Sequence, residues 1–293
     1  AAVIGLVAVN LAGIQKTAAV TRAIVAIVLV TLAFVVAAAV FGDSPSSGRL
    51  DPLSGGAYGI LQAAGILFFA FAGYARLATL GEEVREPRRT IPRAISIALV
   101  ITLVVYVAVA IASLAAVGAR GLARSDAPLR AVVAAGGWHA AAPVVRVGAT
   151  VASFGVLLSL LAGTSRTVFA MASEADLPRV LAAVHPRSET PYRAELGVGA
   201  VVVLVTAVID VRGAIGFSSF GVLGYYALAN ASALTLSPAE RLYPRALSAA
   251  GLAGCVVLAA ALPWRSAVTG AAVLGAGAAW YALRKTRRGS LEP

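Results

Sequence analysis

Charge is scarce in this sequence. Only 13% of the 293 residues are charged, about half the share of a soluble domain. Sulfur and imidazole are scarcer. Cys255 is the single cysteine, Met171 the single methionine, and there are two histidines. One cysteine excludes an intrachain disulfide, and so small a supply of cysteine and histidine excludes a metal cluster of zinc-ribbon type. His139 and His185 both fall in polar connections and read as surface residues. No apolar segment carries a paired carboxylate and no nucleophile elbow occurs, so an enzyme and a resident cofactor are not expected. The net charge of +11 would suit nucleic acid. No basic stripe is interleaved with aromatics, however, and basic residues in short connections orient a membrane protein.

Apolar residues fill the space that charge leaves. They make up 60% of the chain, and the mean hydropathy is +0.89. The expected class is an all-α, multi-pass membrane protein. Windows of about 20 mostly apolar residues, the length a bilayer requires, occur near 21–41, 57–80, 94–117, 143–171, 195–210, 214–236, 246–263 and 266–283. Residue 1 falls inside another apolar run, AAVIGLVAVNLAGI, which reads as the last part of a span. The expectation is one membrane domain over 1–293, with eight spans and an amino-terminal stub. The intervening connections are short and polar. On alternate sides Lys and Arg divide sixteen to seven, with Arg76 inside a span left out. The richer side carries the 85–93 connection, the 173–193 connection and the terminal RKTRR. The excess makes that side cytoplasmic and puts the carboxyl terminus there.

The densest charge is TLGEEVREPRRTIPRA, residues 79–94. Pro87 stops a helix, Thr90 can cap the next one, and Pro92 fits a first turn. Arg88, Arg89 and Arg93 can pair with Glu82, Glu83 or Glu86, or with lipid phosphate. Topology alone accounts for this charge; a cytoplasmic gate network is the functional alternative. Just upstream, FFAFAGY (68–74) sets Gly73 among aromatics at mid-span. Glycine weakens a helix by about 1 kcal/mol relative to alanine. Backbone released from a helix inside lipid must line a cavity or bind something polar. A glycine-tolerant packed helix is the alternative, because glycine is common in spans.

Three segments carry a resemblance. FFAFAGYARLATLGEEVREPRRTIPRAI resembles the sixth span and following connection of permeases in the amino acid–polyamine–organocation superfamily. LLAGTSRTVFAMASEADLPRVLAAVHPRSETPYRAE (160–195) resembles their eighth span and the loop after it. VLGYYALANASALTL (222–236) resembles their tenth. Among subfamilies, bacterial cationic amino acid transporter-like permeases are the most similar. The resemblance implies a fold of twelve spans, ten of them in two inverted five-helix repeats, with this chain running from the end of span 4 to span 12. It implies an amino acid bound where spans 1 and 6 break at the midplane. Phe69, Ala70, Phe71, Ala72, Gly73 and Tyr74 would line the site, with Phe69 or Phe71 as an aromatic lid. Ser153, Gly155 and Ser159 would line it or pack. Glu82, Glu83, Arg88, Arg89 and Arg166 would form the cytoplasmic gate, and Tyr225 and Tyr226 would border the outer path.

Two positions depart from that pattern. Many relatives carry an acidic residue where this chain has Ala75, followed by Arg76, which argues against a cationic substrate. Several have a lysine where this chain has Val28, which leaves the coupling ion open. The implied activity is secondary transport by alternating access, with an amino acid, the lipid bilayer and either a coupling proton or a counter-substrate as partners. A truncated, transport-incompetent membrane protein or scaffold is the alternative, because the first broken span is expected to lie outside these residues.

Overall fold

A computed structural model of the chain describes residues 17–42, 56–74, 86–185, 190–208 and 211–289, with Gly5 and Val84. The amino-terminal stub, Ala75, Arg76, Glu82 and Glu83 lie outside the described residues. Those residues form nine α-helices with three 3₁₀ segments among them: α1 (Thr17–Phe41), α2 (Gly56–Leu67), α3 (Pro87–Arg124), α4 (Pro128–Ala135), α5 (Ala142–Ser173), α6 (Tyr192–Val208), α7 (Val211–Thr235), α8 (Arg245–Ala261) and α9 (Trp264–Gly289). No strand occurs among the described residues. The all-α expectation therefore holds. In hydrocarbon only a helix satisfies its own backbone.

Over the described residues, each of the eight apolar windows falls on helix, the 57–80 window on α2 and the 3₁₀ segment that follows it. By length and composition, Val20–Phe41, Pro87–Arg124 and His139–Ser173 can each cross a membrane. The pair Arg245–Ala261 and Trp264–Ala282 passes the same test together, bent by 120° at a short break. Pro263 lies in that break, where its missing N–H cannot continue the α8 ladder. α3 presents Ile97, Val100, Ile101, Val104, Val107 and Ile111 along one face and Leu99, Leu103 and Tyr106 beside it, all exposed. A helix apolar on every side is at home in lipid.

Two boundaries differ from the sequence expectation. α3 begins at Pro87 rather than after a cap at Thr90, so Thr90 and Pro92 lie inside it. Pro87 has the φ a first helical residue needs and no N–H to orphan. Pro92 forgoes only a bond to the carbonyl of Arg88, an exposed residue in the first turn that water can reach. At the other end, Gly118 takes φ 76°, ψ 160° and interrupts α3. The left-handed region favours glycine, and the connection beyond holds further helical turns and α4.

The chain divides into two compact units, 1–51 with 88–207, and 52–87 with 208–293. In the first, Val35, Ala38 and Ala39 of α1 pack with Ala112 and Ala116 of α3, Val132 and Val133 of α4, and Val145 of α5. The rings of Phe34 and Trp138 meet at 5.4 Å. Glycines set how close the backbones come. A Cβ built on Gly148 would lie 2.3 Å from Thr31 Oγ1, and one on Gly155 would lie 2.8 Å from Ile24 Cγ2. The pairs 148/155 and 24/31 are both seven apart, two helical turns, so each lies on one face of its helix. Gly155 is thereby a packing residue of the α1–α5 interface. In the second unit Leu223, Tyr226, Cys255 and Leu262 form the core, with Ile66, Phe68, Phe220 and Leu258 against them. Lipid supplies no hydrophobic drive between helices, so this close fit of small residues is what holds them.

Gly136, just past α4, tests that claim. A Cβ there would sit 2.2 Å from the carbonyl oxygen of Ala38, whereas one on Gly254 of α8 meets nothing within 4 Å. Gly136→Ala is expected to destabilise the chain by about 1–3 kcal/mol through overpacking. Gly254→Ala is expected to be neutral or slightly stabilising. Thermal unfolding in detergent ranks the two; equal midpoints would remove the close-approach argument.

Candidate functional site

α2 does not reach across a bilayer as an α-helix. Its twelve residues rise about 18 Å, against a hydrocarbon core of about 30 Å. At Phe68 the backbone changes to 3₁₀ bonding and keeps it through Tyr74. Seven residues is long for a 3₁₀ segment, and such a stretch inside a span marks a hinge or a strained sequence. The local cause is legible. Phe68, Phe69 and Phe71 lose χ1 freedom against the preceding turn, and Gly73 gives the helix little backing. The segment begins and ends on the FFAFAGY motif.

Two side chains hold α2 on the second unit. The Ser219 hydroxyl of α7 donates to the Ile66 carbonyl oxygen at 2.8 Å. Gln62 Nε2 donates to the Ala261 carbonyl oxygen at 3.4 Å, meeting one of the carbonyls a helix leaves open at its end. Gly65 brings α2 close to α8: a Cβ there would lie 2.9 Å from the Leu258 carbonyl oxygen. Neither Gln62 nor Ser219 was among the residues expected from sequence. The signal available was a polar side chain inside an apolar window, which in lipid asks for a partner.

An aromatic chain leads away from the break. The Phe68 ring meets Tyr226 edge-on at 5.8 Å and 78°. Tyr226 meets Tyr225 at 5.2 Å and 70°. Tyr226 is 8% exposed and Tyr225 55%, so the chain runs from core to surface. Phe69 is partly exposed at 37%. A Cβ built on Gly73 meets no atom within 4 Å. No residue from 68 to 74 carries charge. A 3₁₀ stretch with open space beside it can present backbone to a polar ligand, as unwound spans do.

The other expected residues are placed as follows. Phe69, Ala70, Phe71, Ala72, Gly73 and Tyr74 all lie in the 3₁₀ segment. Ser153 and Ser159 lie on α5 in the first unit and are exposed, with the Ser153 hydroxyl turned back to the Ala149 carbonyl oxygen at 2.8 Å. Arg88 and Arg89 are exposed in the first turn of α3, and Arg166 is exposed on α5. Tyr225, expected at the outer path, is brought to the break through Tyr226.

Comparison with known proteins agrees with this architecture. The amino acid permease family model matches residues 2–286. An uncharacterized transporter of Mycobacterium tuberculosis is 58% identical over 291 residues, covering 98% of this chain and 66% of the relative. A branched-chain amino acid permease of Bacillus subtilis is 27% identical over 241 residues, 82% of this chain and 51% of its own length. Human cationic amino acid transporter 4 is 32% identical over 178 residues, 61% of this chain and 28% of its own. The chain thus spans 66% of the mycobacterial relative's length. Permeases are transport proteins rather than enzymes, and the chain, a multi-pass membrane protein, belongs to the amino acid permease family.

Proposed function

We propose that this chain is the part of a secondary amino acid transporter that supplies the broken sixth span, and that the substrate binds at Phe69–Gly73 and moves by alternating access. The single observation that carries the reading is the α-to-3₁₀ change at Phe68–Tyr74, inside a chain matched along residues 2–286 to amino acid permeases. Backbone groups at the break would meet the ammonium group of the amino acid. Phe69 and Phe71 would close over it.

A neutral substrate suits this half of the pocket better than a cationic one. Residues 68–74 carry no carboxylate, and Ala75 and Arg76 follow. A cationic side chain held in low dielectric needs a paired anion. Of the two named relatives with a stated substrate, the branched-chain permease is thus the better guide.

The test uses a chimera in which these 293 residues replace the matching 66% of the mycobacterial relative. Uptake of Leu, Ile, Val, Lys and Arg is measured in proteoliposomes. Uptake of the branched-chain set above the basic pair is expected; uptake of none sinks the transport reading. An imposed pH gradient distinguishes proton coupling from exchange for a counter-substrate. Gly73→Leu is expected to abolish uptake without blocking membrane insertion, since a Cβ there meets no atom within 4 Å and a leucine would fill the ligand's space. Retained uptake removes Gly73 from the site. Glu82→Gln with Glu83→Gln is expected to lower turnover more than affinity, and native turnover leaves those charges a topological role only. The carboxyl terminus is placed in the cytoplasm; a reporter fused after Pro293 that reads external reverses the orientation.

A further inference from the structure

Hydroxyls buried in helices usually turn back on their own backbone. In this chain the buried Thr31 and Ser165 each donate to the carbonyl four residues earlier, as do the exposed Thr206 and Thr269. Ser219 does not. It is 0% exposed on α7, and its hydroxyl crosses to Ile66 on α2, 153 positions away in sequence.

The place it reaches lies at a change of helix type. In an α-helix each N–H bonds the carbonyl four residues back; in a 3₁₀ helix it bonds the carbonyl three back. A chain that switches from one to the other skips one carbonyl at the step. α2 ends at Leu67 and the 3₁₀ segment starts at Phe68, so the step falls at the last α-turn, and Ile66 lies in that turn. A carbonyl left without a donor in a dry interior is costly, and the Ser219 hydroxyl donates to the one two residues before the change.

We infer that Ser219 is a positioning residue that holds the break in α2. It acts through Ile66 and not on the substrate. With the hydroxyl on Ile66, α2 is tied to α7 two residues before the change to 3₁₀ bonding. If the span straightens, the Ile66 carbonyl takes the N–H four residues on and Ser219 has the carbonyl of Ile215, four residues back on its own helix. Both arrangements give the hydroxyl an acceptor, so it can change partners as the span moves. The inference rests on the transport reading only for that last step; the capping role stands on the geometry.

Two readouts separate the claims. Amide hydrogen exchange is measured on the chain in lipid nanodiscs. Losing one hydrogen bond is expected to speed exchange across 66–74 by up to about tenfold in Ser219→Ala, with α8 unchanged and the exposed neighbour variant Ser218→Ala native throughout. In the chimera, Ser219→Ala is expected to lower turnover by a similar factor, with half-saturation within about twofold. Native exchange across 66–74 overturns the inference, as does acceleration spread equally over α7 and α8, which would mean general loss of packing. Should Ser219→Ala fail to insert, Ser219→Cys, of similar size and with a weaker donor, is expected to show a smaller acceleration confined to 66–74; native exchange there likewise overturns it. If the native chimera carries no amino acid, the transport reading falls while the exchange result still decides the role of the hydroxyl.

Discussion

In hydrocarbon a peptide N–H or C=O has no water to turn to, and each one left unbonded costs several kcal/mol. A chain with this little charge and this much Ala, Val and Leu meets that constraint by forming helices, and its α-helices follow. The constraint bites hardest where a helix stops. At Gly118 a left-handed glycine ends the ladder. At Ala261 the amide of Gln62 meets a terminal carbonyl. At Ile66 a serine from another helix does the same.

A break inside a span is therefore an expensive feature, kept only when the surroundings over-determine it. The second unit does so from two sides. Ser219 and Gln62 fix α2 through hydrogen bonds, while Gly65 lets α8 come against it and Phe68 lies edge-on to Tyr226. The region beyond Phe68 is left comparatively open, with Phe69 partly exposed and space at Gly73.

The first unit uses the same economy of side chains for a different end. α1 and α5 approach through Gly148 and Gly155, and the buried positions around them are Ala and Val rather than large residues. Small residues permit backbone approach, which in lipid substitutes for the hydrophobic drive that water supplies elsewhere. Many large apolar side chains are turned outward, as the exposed face of α3 illustrates.

Much of this was legible before any coordinates. Apolar runs of bilayer length specify helices because lipid allows nothing else, and the FFAFAGY motif marked the segment whose backbone leaves the α-helix, through aromatic crowding and a glycine. Other features were not. Proline at Pro87 reads as a stop and as a first residue equally well, and only the folded chain chose the second. The connection after Gly118 looked like a loop because its polar residues hide the helical period of α4. Gly155 could not be assigned to packing without knowing that Ile24 faces it. Above all, nothing near Ser219 in sequence points to Ile66. Local chemistry decided which segments are helical and where one of them fails. Tertiary structure decided which distant hydroxyl satisfies the failure, because a hydrogen bond between residues 153 apart exists only once both helices are in place.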